Sequence, residues 1–188
     1  MRYEKGRKDA SRGRIMEVAA ERFRGDGIAA SGLATIMSDA GLTNGAFYPH
    51  FQSKAELVRE SVAAALDAQS QQMQEVLAAG GPEMAIDAYL SAAHRDNPEK
   101  GCASAALLPE IARQPPETRE VYTEHFLSLV RQVSAALPPG KDQEGAALGV
   151  FATLIGALQL ARAVEGTELS DRILSAGADA ARALLRQR

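Results

Sequence analysis

The sequence predicts an all-α protein of about nine helices, divided into a small N-terminal unit and a larger helical C-terminal one. Three observations carry this. Apolar residues recur at helical spacing along almost the whole chain, and no segment shows the two-residue alternation of a half-buried strand. Glycine and proline cluster between the periodic stretches, at Gly25 and Gly27, Gly41, Gly80-Gly81-Pro82, Pro115-Pro116 and Pro138-Pro139-Gly140. The Asn44-Gly45 pair, a hairpin signal between strands, lies here between two helical patterns.

At 188 residues the chain can bury a substantial core, and its 46% hydrophobic and 24% charged content is ordinary for a soluble globular protein. The single cysteine, Cys102, has no internal disulfide partner, which predicts a reducing compartment. The N-terminus is charged where a secretory signal would be apolar, and no run reaches the ~18 uninterrupted apolar residues of a membrane span. A cytoplasmic protein without membrane contact is therefore expected. The net charge of -3 is unevenly spread: residues 1–60 carry +2 and residues 61–188 carry -5. Arg2, Lys5, Arg7, Lys8, Arg12 and Arg14 face only Glu4 and Asp9 at the start, a basic N-terminal arm suited to phosphate.

Helix 1 is predicted from about Asp9 to Arg24, burying Ile15, Val18, Ala19 and Phe23. Helix 2 follows Ser31 as its N-cap and buries Leu33, Ile36 and Met37; Gly41 ends it in a left-handed conformation. Helix 3 starts after Thr43 and carries Asn44, Gly45, Ala46, Phe47, Tyr48 and His50. Pro49 should leave it kinked or short, because the ring removes a bond to Gly45 and disfavours helical geometry at Tyr48. Helix 4 opens on the capping box Ser53-Lys54-Ala55-Glu56 and runs towards Ala79. Helix 5 spans Pro82 to about Arg95, and helix 6 spans about Cys102 to Arg113, where Pro109 should kink or divide it. Helix 7 follows Pro116, helix 8 spans about Asp142 to Val164, and helix 9 about Glu168 to Leu185. Helix 8 is apolar over most of its circumference, so more than one side must be covered. With Gly156, Ala157, Ala161, Gly177, Ala178 and Ala181 permitting close approach, helices 8 and 9 are expected to form a two-fold homodimer interface.

Two short helices joined at Gly41, the second rich in polar and aromatic residues, have the layout of a helix-turn-helix. Asn44 can donate to and accept from adenine, while Tyr48 and Lys54 can donate to phosphate. A lysine at a helix start opposes the helix dipole, and a phosphate partner would give it a reason to be there. Double-stranded DNA is the expected partner.

The segment Arg12 to Val62 resembles the DNA-binding domain of the tetracycline-repressor (TetR) family of bacterial transcriptional regulators. The resemblance rests on Ala19-Ala20-Glu21-Arg22-Phe23 with Gly25 and Gly27, on Ile36 and Ala40-Gly41-Leu42, and above all on Gly45-Ala46-Phe47-Tyr48, His50-Phe51 and Ser53-Lys54. Pro49 departs from the pattern, where that position commonly carries an aromatic, basic or polar side chain. The resemblance implies residues 1–56 as the DNA-binding domain and residues 57–188 as an effector-binding and dimerisation domain. It places Thr43, Asn44 and Gly45 near base edges or the adjacent backbone, Tyr48, His50 and Lys54 on phosphates, and Ser31 among the DNA-contacting set. It further implies a repressor that binds a palindromic operator as a dimer and is released by a small-molecule effector. The polar and aromatic points on the apolar walls of the second domain are the effector-pocket candidates: Tyr89, His94, Cys102, Tyr122, Phe126, Phe151 and Gln159.

Enzyme chemistry has little support. His50, His94 and His125 stand far apart, with no metal-ligand spacing, no Cys-x-x-Cys and no phosphate-binding glycine loop, so neither metal nor cofactor is expected. Two alternatives to the ligand-released repressor remain. One is a redox or electrophile sensor acting through Cys102, whose place at a helix start beside Lys100 favours thiolate. The other is a helical adaptor that does not bind DNA.

Overall fold

A computed structural model describes residues 2–140 and 142–186, without the side chains of residues 2–5 and 7. The expected contacts of Arg2, Lys5 and Arg7 lie outside the described residues. Among those described, eight α-helices follow in order: α1 (Arg2–Asp26), α2 (Leu33–Asp39), α3 (Lys54–Tyr89), α4 (Ala92–Asp96), α5 (Ala103–Ile111), α6 (Pro116–Ala136), α7 (Gln143–Ala163) and α8 (Thr167–Arg186). Two 3₁₀ turns, Asn44–Ala46 and Pro98–Lys100, complete the set, and the described residues contain no strand. The fold is all-α, as the periodicity predicts.

Glycine fixes the ends that orient the N-terminal unit. Gly41 has φ +72°, with its N–H donating to Ser38 O at 2.9 Å and that of Leu42 to Met37 O at 2.8 Å. This is a Schellman cap, which satisfies two orphan carbonyls of α2. Gly27 ends α1 with φ +91° and donates to Phe23 O at 3.0 Å. An added Cβ at Gly27 would also lie 2.7 Å from Glu110 Oε1 and displace that carboxylate.

Several expected boundaries shift. The N-terminal arm is not separate: α1 runs back through it to Arg2. Ser31 does not cap α2; Gly32 holds that position, and Ser31 Oγ donates instead to Gly27 O at 2.7 Å. Ser53 does accept the Glu56 N–H at 3.2 Å, but the Glu56 carboxylate reaches Gln52 N, at 2.7 Å, so the box closes one residue early. The predicted break at Gly81 (φ +69°) turns the chain inside α3, and the helix expected to reach Arg95 divides at Leu90, where Ser91 caps α4. Pro109 does not divide α5, which ends two residues later at Ile111.

The core has two parts. In the first, Ile15, Phe23, Ile36, Phe47, Phe51 and Leu57 pack together and continue through Val62 and Leu66 to Leu107, Ile111, Leu129 and Val130 on α5 and α6. In the second, Ile86, Tyr89 and Leu90 pack with Leu154, Leu158, Leu174 and Ala178 of α7 and α8. There α7 and α8 pack so closely that a Cβ at Gly177 would collide with the Ala157 methyl. Arg95 ties α4 to Asp171 (2.6 Å) and Ser170 (2.9 Å), and Arg182 ties α8 to Glu83 (2.9 Å) and Asp87 on the later half of α3.

The Glu110 carboxylate on α5 ties the N-terminal helices to the later ones, accepting from Ile28 N at 3.1 Å and Ala29 N at 2.9 Å in the turn after α1. Glu110→Ala leaves both amides without that acceptor, and the expected cost is about 1–3 kcal/mol. Hydrogen exchange should accelerate at Ile28 and Ala29 while the amides of α7 keep their protection.

His94 holds the loop between α4 and α5. Its Nδ1–H donates to Tyr89 O at 2.7 Å, and its Nε2 accepts from Cys102 N–H at 3.1 Å, an arrangement that only the neutral ring can make. Burial, with Arg162 nearby, lowers its pKa below the ordinary 6.5. Burial, with Lys8 and Arg12, does the same to His50. A base whose native pKa is depressed is protonated more readily when unfolded, so stability is full above 6.5 and falls as the pH drops below it. Urea midpoints measured across this window should decline towards acid, with a shallower slope in His94→Gln.

Candidate nucleic-acid interface and ligand cavity

The stretch after α2 forms the first candidate site. Thr43 begins a single 3₁₀ turn, Asn44–Ala46, closed by Ala46 N to Thr43 O at 3.0 Å and Phe47 N to Asn44 O at 3.2 Å. Pro49 has no N–H to continue it, and the chain leaves through bonds from His50 and Phe51 to Phe47 O. The expected third helix is therefore short to the point of being a turn.

Packing holds this turn in place. Phe47 and Phe51 are each 1% exposed and stack at 5.5 Å between centroids, while Tyr48 meets Phe47 edge-on at 5.4 Å. Burying one such phenyl ring contributes about 2–3 kcal/mol. Arg12 lies over the Phe51 ring at 4.5 Å and pairs with Glu60 on α3. Above these anchors Thr43, Asn44, Gly45 and Tyr48 are exposed, Tyr48 to 71%.

Of the remaining members of the expected DNA set, Ser31 and Lys54 are engaged inside the protein and His50 is half-buried. Ser31 is 3% exposed and turned back on Gly27, so the structure removes it from the surface. Lys54 donates to Ile28 O at 2.5 Å, which supplies the partner that its place at a helix start requires. The His50 Nδ1 lacks a partner, and burial with Lys8 and Arg12 nearby holds its pKa below the ordinary value. In the basic segment Arg14 pairs with Glu17 at 2.9 Å, while Lys8 is exposed.

The second candidate site is a cavity of about 790 Å³ between α1, both halves of α3, α4 and the loop before α5. Its apolar walls include Met16 and Ala20 of α1, Ala65, Met73 and Val76 of the first half of α3, and Ala85 and Ala88 of the second. Tyr89, His94 and Cys102 line it; Tyr122, Phe126, Phe151 and Gln159 are not among its walls. The three aromatics pack on one another instead, Tyr122 stacked on Phe126 at 5.8 Å and Phe126 edge-on to Phe151 at 5.5 Å. Tyr122 Oη also bonds Ser104 Oγ at 2.9 Å. Gln159 is exposed on α7.

Cys102 is 6% exposed, and its Sγ accepts from Gln69 Nε2 at 3.1 Å. Arg162 donates to the carbonyls of His94 (2.6 Å) and Arg95 (3.1 Å), and Arg24 donates to Glu99 O at 2.6 Å. Arg24 and Arg162 are thus committed to backbone, whereas Lys100, also in the cavity wall, is exposed. Sequence reasoning missed Gln69, which sits on the polar side of a helix without a local signal, and the whole wall contributed by α1. Among the described residues no cluster of His, Cys, Asp and Glu could hold a metal ion.

Residues 15–61 match the family model described as bacterial regulatory proteins, tetR family. None of the curated proteins matches the sequence. Solved structures resemble the fold over nearly its full length. A TetR-family transcriptional regulator from Cytophaga hutchinsonii is 19% identical with a TM-score of 0.78, over 97% of this chain and 98% of its own. The reduced form of NemR from E. coli is 17% identical with a TM-score of 0.74, over 90% and 96%. A TetR transcriptional regulator from Chloroflexus aurantiacus is 24% identical with a TM-score of 0.72, over 95% and 96%. Residues 15–61 thus match the bacterial regulatory proteins of the tetR family, and the chain over nearly its whole length shares the fold of solved TetR-family regulators.

Proposed function

We propose that this regulator is a cytoplasmic repressor that binds a palindromic operator as a homodimer and releases it when a small, largely apolar effector enters the α1–α3 cavity. In this reading residues 1–56 read DNA and residues 57–188 bind the effector and dimerise. The observation that carries it is the exposure of Thr43, Asn44, Gly45 and Tyr48 on a turn anchored from below by Phe47 and Phe51. Asn44 supplies a donor and an acceptor to a base edge, and the Tyr48 hydroxyl donates to phosphate. Lys54 serves as a support, holding the turn that leads to α2. A thiol sensor at Cys102 and an adaptor without DNA binding have no comparable observation in their favour.

The dimer reading rests on the outer face of α7, where Leu148, Ala152, Gly156 and Leu160 follow at four-residue spacing, all exposed, with Leu169 and Ala176 exposed on α8. Self-complementary packing of this face on a second copy is the two-fold solution. Leu160→Glu should convert a sedimenting dimer to monomer at micromolar concentration and lower operator affinity with it. A Leu160→Glu protein that stays dimeric would remove α7 from the interface.

Selection of bound sequences from a random DNA pool tests the DNA reading. The expected product is an inverted repeat with half-sites about one helical turn apart, bound less tightly as salt rises. Asn44→Ala should cost about 1–3 kcal/mol and relax the preference at one base position. Tyr48→Phe should weaken all sequences alike by about 0.5–1.5 kcal/mol. Recovery of no preferred sequence and no salt dependence would defeat the proposal.

A further inference from the structure

We infer that the cavity between α1 and α3 takes a neutral, largely apolar ligand carrying a hydroxyl, which seats on Tyr89 and Gln69 beside Cys102. The inference rests on the effector reading above and gives that effector a chemical class and a polar anchor.

Two buried polar atoms of residues that line the cavity lack a full hydrogen-bond partner: Gln69 Oε1, and Tyr89 Oη, which has only the weak Cys102 thiol beside it. Tyr89 is 7% exposed, and its hydroxyl lies next to the Cys102 side chain, to which Gln69 donates through Nε2 at 3.1 Å. Most buried polar atoms are paired, so two orphans beside one thiol at the edge of a large cavity point to an absent group. Their chemistry specifies it. Gln69 Oε1 can only accept, whereas the phenol of Tyr89 can donate. A ligand hydroxyl donates to the first and accepts from the second. A carbonyl would satisfy Tyr89 and leave Gln69 without a donor.

Beside the two orphans the surroundings favour a neutral group over an ion, and the other charged residues of the wall, Glu17, Glu21 and Lys100, are exposed to solvent. Arg24 and Arg162 are bound to backbone carbonyls, and His94 uses both ring nitrogens while neutral. Burial raises the Tyr89 pKa well above 10.0, so its hydroxyl keeps its proton. Beyond this corner the walls turn apolar, with Met16 and Ala20 on one side and Ala65, Met73 and Val76 on the other. The ligand body therefore lies directly against α1, the helix that supports the DNA-reading turn.

The test uses the full-length protein and four probes of one shape: para-hexylphenol, para-hexylanisole, hexylbenzene and para-hexylbenzoate. Calorimetry should show the phenol binding about three- to tenfold more tightly than hexylbenzene, the anisole weaker than the phenol, and the benzoate weakest. Tyr89→Phe and Gln69→Met should each lose most of the phenol preference while leaving hexylbenzene affinity unchanged. Thermal midpoints establish that the variants fold, and the probe order in the wild type stands as the test if either does not. Binding of none of the probes, a tighter benzoate, or an undiminished phenol preference in folded Tyr89→Phe would overturn the inference; the last result would leave the corner to water. Operator affinity measured with the phenol present separates the two readings. Tyr89-dependent binding without DNA release sinks the effector reading and keeps the site, whereas release by probes indifferent to Tyr89 does the reverse.

Discussion

The presentation of the turn proposed to read DNA depends on the burial of two phenyl rings. A three-residue 3₁₀ turn has almost no stability of its own, because few hydrogen bonds offset the cost of ordering it. Pro49 prevents its extension into a helix. What holds Asn44 and Tyr48 towards solvent is therefore the packing of Phe47 and Phe51 on α1, α2 and α3, with Arg12 across the outer ring. A recognition helix carries its side chains on a backbone scaffold. Here the scaffold is a pair of side chains, and its rigidity is that of the core.

That core passes without a break from the N-terminal unit into the larger one. α3 runs through both, and α1 serves as a common wall. One face of α1 buries Ile15, Val18, Ala19 and Phe23 under the reading turn, and another gives Met16 and Ala20 to the cavity. The turn leaving α1 is held from opposite sides, its amides by Glu110 of α5 and its Ile28 carbonyl by Lys54 of α3. A body inserted between α1 and α3 acts on the same helix that both ties restrain. The proposed release would require a ligand with different affinity for two arrangements of one element, and α1, which borders both the cavity and the turn, is the element it would act on.

Features written in local backbone chemistry were legible in the sequence. Gly27, Gly41 and Gly81 all adopt positive φ where the pattern breaks, Ser53 caps α3, and Pro49 stops the third helix. Features set by partners distant in sequence were not. Local sequence does not reveal the Lys54 bond to Ile28, 26 residues away, or the backward bond from Ser31 to Gly27 that replaces a cap. The cavity was half legible for the same reason. Tyr89, His94 and Cys102 lie on elements the sequence placed together, but residue type alone could not separate a cavity wall from the packed aromatics Tyr122, Phe126 and Phe151.

α7 is long and apolar enough to cross a membrane by composition, yet less than half of it is buried within the chain. Its exposed face needs a covering, and its neighbour decides which kind. α8 packs against it through Gly177 and leaves Glu168, Asp171, Arg172 and Asp179 exposed. Each such charge costs about 2.5–3.5 kcal/mol at the centre of a bilayer, so the helix pair is suited to water at its edges and to protein at its apolar centre. A second copy meets both conditions, since a two-fold contact sets the Leu148–Leu160 stripe against its own equivalent. The same contact would fix the separation of the two reading turns. In the proposed dimer a shift of α1 in either subunit would change that spacing, so that a ligand against one helix would be felt at two half-sites.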